Sequence, residues 1–190
     1  MLAYFALLLA VLSRILPHAF HAVGWNFTAI GGGLLFFGSR MSIAPGRTGQ
    51  SFAKLAAALA LLAATDYYLT VFAYGYAFHI REYIVTWVWY AAVCLIGMDL
   101  LQKPTALRVV AGVLASSTSF FLLSNFMFWI GWPEYPRTLA GLGACYTAAL
   151  PFYRNDLVST AVTAGALFGL PVLAAKIAET LQAAQHRPLA

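Results

Sequence analysis

Long apolar runs separated by short clusters of charge, proline and glycine set the pattern of this chain. Six runs, at about 2–16, 28–45, 53–74, 83–101, 107–130 and 156–178, approach or reach the roughly 20 residues that cross a bilayer as a helix. None alternates apolar and polar positions in the manner of a barrel strand. Lipid leaves backbone amides unsatisfied outside helices and closed barrels, so the runs predict helices. A shorter apolar stretch, LAGLGACYTAALPFY from Leu139 to Tyr153, carries Pro151 near its end. It predicts a short re-entrant or interfacial helix before the last span, with a seventh span as the alternative. Arg154, Asn155 and Asp156 then stand where the last helix would start, and the latter two suit its N-cap.

Composition narrows the class. Hydrophobic residues make up 62%, charged residues 9%, and mean hydropathy is +0.80, whereas soluble domains carry roughly a quarter of their residues charged. The expectation is an all-α integral membrane protein, residues 1–190 forming a single transmembrane domain with no room for a soluble catalytic one. Leu2 to Leu12 has no preceding basic residue and no clear cleavage site after it, so it reads as a first span and not as a signal peptide. The net charge of +5 forms no basic stripe, which argues against nucleic acid. Cys94 and Cys145 lack metal-type spacing and read as buried packing residues.

Charge also orients the chain. Arg40, Arg47 and Lys54 share the second connection, Lys103 and Arg108 the fourth, and Lys176 and Arg187 the tail. The positive-inside rule makes these cytoplasmic, with both termini inside and an even number of spans, hence six. His18, His21, Trp25, Asn26, His79, Glu82, Asn125, Trp129, Glu134, Tyr135 and Arg137 then fall at the outer face. The sites of candidate chemistry are Asn26, Asp66, Asn125, Trp129, Tyr135 and Arg137.

Each of these residue types suits a role. Asp66 lies at membrane depth, where a carboxylate faces a cavity, an ion or a partner such as Arg14 or Arg137. Asn125 can donate and accept, and Trp129 shares its helical face four residues on. Arg137, behind Pro133 and Pro136, can clamp a carboxylate or phosphate, or pair with Glu134. Trp132 fits the interfacial aromatic belt. Asp99 and Lys103 have the helical spacing of an ion pair. The three outer histidines are too scattered for a metal site, so neither metal nor cofactor is expected. No serine, cysteine or histidine has a nucleophile's setting, which argues against an enzyme. Ala6 and Ala10, and the stripe Ala161, Gly165 and Gly169, suit close helix packing within the chain or against another subunit.

Read together, SRILPHAFHAVGWNFTAIGG, SFFLLSNFMFW, YPRTLAGLGACYTAALPFYRN and ALFG resemble a family of small, uncharacterised bacterial membrane proteins described as candidate transport proteins. That family in turn resembles the substrate-binding S components of energy-coupling-factor (ECF) transporters. Ala29 stands where the family phrase carries a proline after Asn-Phe-Thr. The resemblance implies an S-component-like arrangement of six transmembrane helices in the bacterial cytoplasmic (inner) membrane, with an outward-facing pocket capped by loops. It also implies a partner, a transmembrane coupling subunit with cytoplasmic ATPases, docking on Ala6 and Ala10. No P-loop motif occurs, so the chain cannot power transport itself.

The function expected is that of a substrate-binding membrane transport subunit capturing a small vitamin-like or aromatic molecule and energised by a partner. That function requires Asp66, Asn125, Trp129 and Arg137 to converge on one pocket, and Arg137→Ala to weaken binding more than Arg47→Ala. Two other classes stay open. A structural or assembly protein would expose those residues as a patch, and a lipid or quinone enzyme would need a paired base and nucleophile.

Overall fold

The computed structural model describes residues 2–19, 27–42 and 44–185. Among them regular structure is entirely helical: α1 (Leu2–Ala19), α2 (Ile30–Ser39), α3 (Thr48–Tyr68), α4 (Ile80–Leu100), α5 (Ala106–Gly131) and α6 (Leu139–Gln185). The turn Leu69–Ala73 continues α3 with wider, π-type hydrogen bonding. Four segments, Thr48–Ala73, Ile80–Leu100, Ala106–Gly131 and Leu139–Gln182, are long and apolar enough to cross a membrane. This is the pattern of a multi-pass membrane protein.

Four sequence expectations need correction. The second span, expected over 28–45, is a helix of only ten residues, about 15 Å long and half a hydrocarbon core. It stops where Arg40 and Met41 turn back onto the Phe37 and Gly38 carbonyls. The re-entrant helix and the last span are one 47-residue helix containing Pro151 and Pro171. At about 70 Å it exceeds the bilayer core. A proline removes one donor and tends to kink a helix, but packing against neighbours lets a membrane helix continue through it. Asn155 and Asp156 are therefore mid-helix residues, and Thr138 supplies the cap instead, its Oγ1 accepting from Gly141 N at 3.1 Å. Lys103 lies beyond the end of α4, so it does not share helical spacing with Asp99.

The short α2 is the centre of the molecule. All ten of its residues are buried, with α1, α4, α5 and α6 packed around it. Leu34, Leu35, Phe36 and Phe37 fill the spaces between these helices. Glycine permits the close approaches that lipid-embedded packing favours. A Cβ on Gly38 would lie 2.7 Å from the Cys94 carbonyl carbon, and one on Gly32 would lie 2.8 Å from Ala164 N. Ala6 and Ala10 are buried against Gly33 of α2, so this A-x-x-x-A face packs within the chain. Ala161, Gly165 and Gly169 instead line an open apolar groove of about 790 Å³ between α5 and α6.

The basic connections meet at one end of the bundle. Gln102 Nε2 donates to Met41 O at 3.2 Å, tying the α4–α5 turn to the α2–α3 turn. Arg40 and Lys54 flank the start of α1, and Lys176 borders the groove beside Pro104. The tryptophan-rich α5–α6 turn lies at the other end.

Candidate functional site

Asp66 sits on the last turn of α3 before the π-type turn, 2% exposed. Arg14 of α1 reaches it through Nη2, and Nη1 of the same guanidinium donates to Thr65 Oγ1 at 3.1 Å. Trp87 Nε1 of α4 donates to its second oxygen at 2.8 Å. Both carboxylate oxygens are thus engaged, and the charge is balanced by Arg14. The wider turn puts Thr70 over Asp66, with Thr70 Oγ1 donating to the Asp66 carbonyl and meeting Tyr83 Oη. Phe78, Tyr83 and Trp87 stack above, the first two with ring centroids 4.8 Å apart. Of the roles open to Asp66, the structure displays the ion pair with Arg14, which ties α1, α3 and α4 together.

The α5–α6 turn is closed by its own side chains. Trp129 Nε1 donates to Pro136 O at 2.8 Å, and Arg137 Nη2 donates to Ile130 O at 2.7 Å. The Arg137 guanidinium also lies over the Trp129 ring, 5.7 Å from its centroid. Tyr135 meets Phe128 edge to face, and Trp132 stacks on Phe128. Trp129, Tyr135 and Arg137 therefore come together as a hairpin lock, apart from Asp66. Asn26, His21 and Trp25 lie outside the described residues.

Asn125 occupies a different setting. It borders a cleft of about 350 Å³ between α5 and α6, with Ser117, Phe120, Phe121, Ser124 and Phe128 on the α5 side. Ala149, Phe152, Tyr153 and Asp156 come from α6. The helices are pinned around it: Thr118 Oγ1 and Tyr153 Oη lie 3.0 Å apart, and Tyr146 Oη donates to Leu122 O at 2.7 Å. Asn125 Nδ2 donates to Phe121 O and Ser124 Oγ to Phe120 O, each within its own helix. The Ser124 O–H and one Asn125 N–H are used in this way, which leaves Asn125 Oδ1, its second N–H and the lone pairs of Ser124 for a ligand in the cleft. Asp156 adds a carboxyl at its inner end.

Asp156 is the residue that sequence reasoning assigned elsewhere. Pro151 read as a break, which made Asp156 a surface cap, whereas it lies within a continuous helix and is 8% exposed. The uncharged run that follows it, from Leu157 to Phe168, was the available signal of an intramembrane carboxylate. Among the four residues expected to converge, only Asn125 lines this cleft. A second opening of about 520 Å³, between α4 and α5, carries Arg81, Glu82 and Trp132 and shares Ser124 and Phe128 with it. Among the described residues no three His, Cys, Asp or Glu come together as metal ligands would.

No curated protein and no solved structure matches the chain. A family profile covers residues 1–183, and the chain belongs to that family, DUF6580, a family of unknown function.

Proposed function

We propose that this protein is a substrate-binding membrane transport subunit that captures a small molecule in the α5–α6 cleft. The observation that carries the reading is the cleft itself. Aromatic rings from both helices surround acceptor oxygens of Asn125, Ser124 and Asp156, the mixture of apolar wall and few polar groups typical of ligand sites. A flat molecule stacks on Phe121 and Phe152 and turns N–H or O–H donors toward those oxygens. The substrate class is accordingly a small aromatic or vitamin-like compound rich in donors. The Trp129–Arg137 hairpin lock holds the outer rim in place.

In this reading α1 and α2 complete six membrane segments, as in S components of energy-coupling-factor transporters. The basic end of the bundle faces the cytoplasm of a bacterial inner membrane, with both termini inside. Energy comes from a coupling subunit with cytoplasmic ATPases. Because Ala6 and Ala10 are packed on α2, the groove along Ala161, Gly165 and Gly169 is the surface offered to that partner.

Native mass spectrometry of protein extracted gently from its own membrane tests the reading. One small molecule retained by the wild type and lost from Asn125→Leu, with an ATPase-linked partner, is the expected result. A protein partner with no small molecule would instead favour an assembly role.

A further inference from the structure

Hydroxyl groups inside this protein follow a rule. Ser39, Thr65, Ser119, Ser124 and Ser159 each donate to a carbonyl one turn back on their own helix. Ser51 Oγ instead donates to Ser42 O across a turn, and the groups left without such a bond gather in one place. Among the described residues, the buried side-chain oxygens and nitrogens without a well-formed hydrogen bond are Ser116 Oγ, Ser117 Oγ, Asp156 Oδ2 and Thr160 Oγ1, with the Ser117 hydroxyl facing the Asp156 carboxyl. Asp156 is 8% exposed, Ser117 is fully buried, and both border the inner end of the cleft. Thr160 stands one helical turn further along α6. Its Oγ1 and Ser116 Oγ lie 2.5 and 3.1 Å from the point where a Cβ on Gly31 of α2 would be. Thr160 Oγ1 and Ser116 Oγ thus pack against Gly31 where α2, α5 and α6 meet, one helical turn from Asp156, and the missing Cβ of Gly31 is what lets both oxygens approach α2.

Charge makes the cluster specific. Residues 30–39 of α2 carry no ionisable side chain, and the charged residue of α5 is Arg108 at its far end. On α6, Arg154 is exposed; the nearby Tyr153 hydroxyl is engaged with Thr118. Arg14 is committed to Asp66. A carboxylate at membrane depth is costly unless a proton or a positive charge joins it. Hard oxygen donors surround this one, with no nitrogen or sulfur among them, which is the donor chemistry of alkali and alkaline-earth cations. One carboxylate balances one positive charge, which favours a monovalent ion.

We propose that Asp156, Ser117, Ser116 and Thr160 bind an alkali-metal cation such as sodium at the junction of α2, α5 and α6. The ion neutralises Asp156 and joins the three helices directly beneath the cleft. The cation site shares Asp156 and Ser117 with the lining of the cleft, and its sodium response is read with no small molecule present. Its coupling to capture, in which the ion fixes the inner end of the cleft before the small molecule enters, rests on the proposed function.

The test is thermal unfolding of the purified full-length protein in detergent. Sodium chloride is titrated against choline chloride at constant ionic strength, with no other ligand added. The melting temperature should rise by roughly 5 °C or more at a hundredfold excess over Kd. Asp156→Asn should abolish the rise, and Asp99→Asn should retain it. Thr160→Val and Ser117→Ala, which keep the packing, should each weaken the apparent sodium affinity at least tenfold. These two decide the matter if Asp156→Asn fails to fold. No sodium-dependent rise in wild type, or an undiminished rise in Thr160→Val and Ser117→Ala, would overturn the site. Loss of sodium dependence with retained small-molecule capture would leave the proposed function standing and remove only the coupling.

Discussion

Gly38→Ala tests the central position of α2. The new Cβ would stand 2.7 Å from the Cys94 carbonyl carbon and 2.9 Å from its Cα, both rigid backbone atoms. Apolar carbons pack at about 3.5–4.0 Å, so α2 and α4 must part by roughly 1 Å. A gap of that size forfeits about a quarter to a half of each contact it opens. A Leu-sized side chain makes roughly 40–60 contacts of about 0.1–0.2 kcal/mol. Losing a quarter of the half that faces α4 removes about 1 kcal/mol for each such side chain. Over the seam the cost is about 3 kcal/mol, the upper part of the usual range for overpacking. Gly97→Ala opens the same seam from the other side, its Cβ falling 3.0 Å from the Leu35 carbonyl carbon. The double variant should therefore cost at least about 1 kcal/mol less than the sum of the singles, as coupled neighbours do. Gly143→Ala, where a Cβ meets nothing within 4 Å, should be neutral or stabilising by up to about 1 kcal/mol. Equilibrium unfolding in mixed detergent micelles, followed by tryptophan fluorescence, measures all four. A Gly38→Ala protein within about 0.5 kcal/mol of wild type would refute the packing argument.

Asp66→Ala leaves Arg14 buried without its partner and should cost about 3–5 kcal/mol, whereas Asp66→Ala with Arg14→Met should recover part of that loss. The same unfolding assay checks this, and a double variant as unstable as the sum would count against the pairing. Trp87→Phe removes one donor from the Asp66 carboxylate and should cost about 1.5–3 kcal/mol. Trp129→Phe removes the donor that bonds Pro136 O, which should speed proteolysis within residues 131–138 without lowering global stability by more than about 1 kcal/mol. An unchanged cleavage rate would show that the hairpin lock does not hold the turn.

The helices were legible wherever one signal dominated. The spans expected over 83–101 and 107–130 match α4 and α5 within a few residues, because each is a long apolar run closed by polar or proline-rich text. Two elements were misread for opposite reasons. The helix α2 ends at Ser39, directly before Arg40, so its stop was written in the sequence and the expected span ran past it to residue 45. The run containing α6 holds Pro151, whose local tendency to end a helix is overridden by packing against α5. That second error propagated to the site, since it turned Asp156 from an intramembrane carboxylate into a cap. Asp66 was recognised as a buried acid with Arg14 among its possible partners, and the ion pair joins them. Asn125 was recognised by its amide near the end of an apolar helix. Trp129 and Arg137 carry the same polar signals, but their donors close backbone within the hairpin. Side-chain type identifies what a residue can bond to and leaves open which neighbour takes the bond.

A cryo-EM structure of the gently extracted protein in lipid nanodiscs tests the central claim most directly. The account predicts density for a small non-lipid molecule between Phe121 and Phe152, within hydrogen-bond distance of Asn125 Oδ1. A cleft filled by an acyl chain continuous with the bilayer, or closed by contact of Phe121 with Phe152, would contradict it.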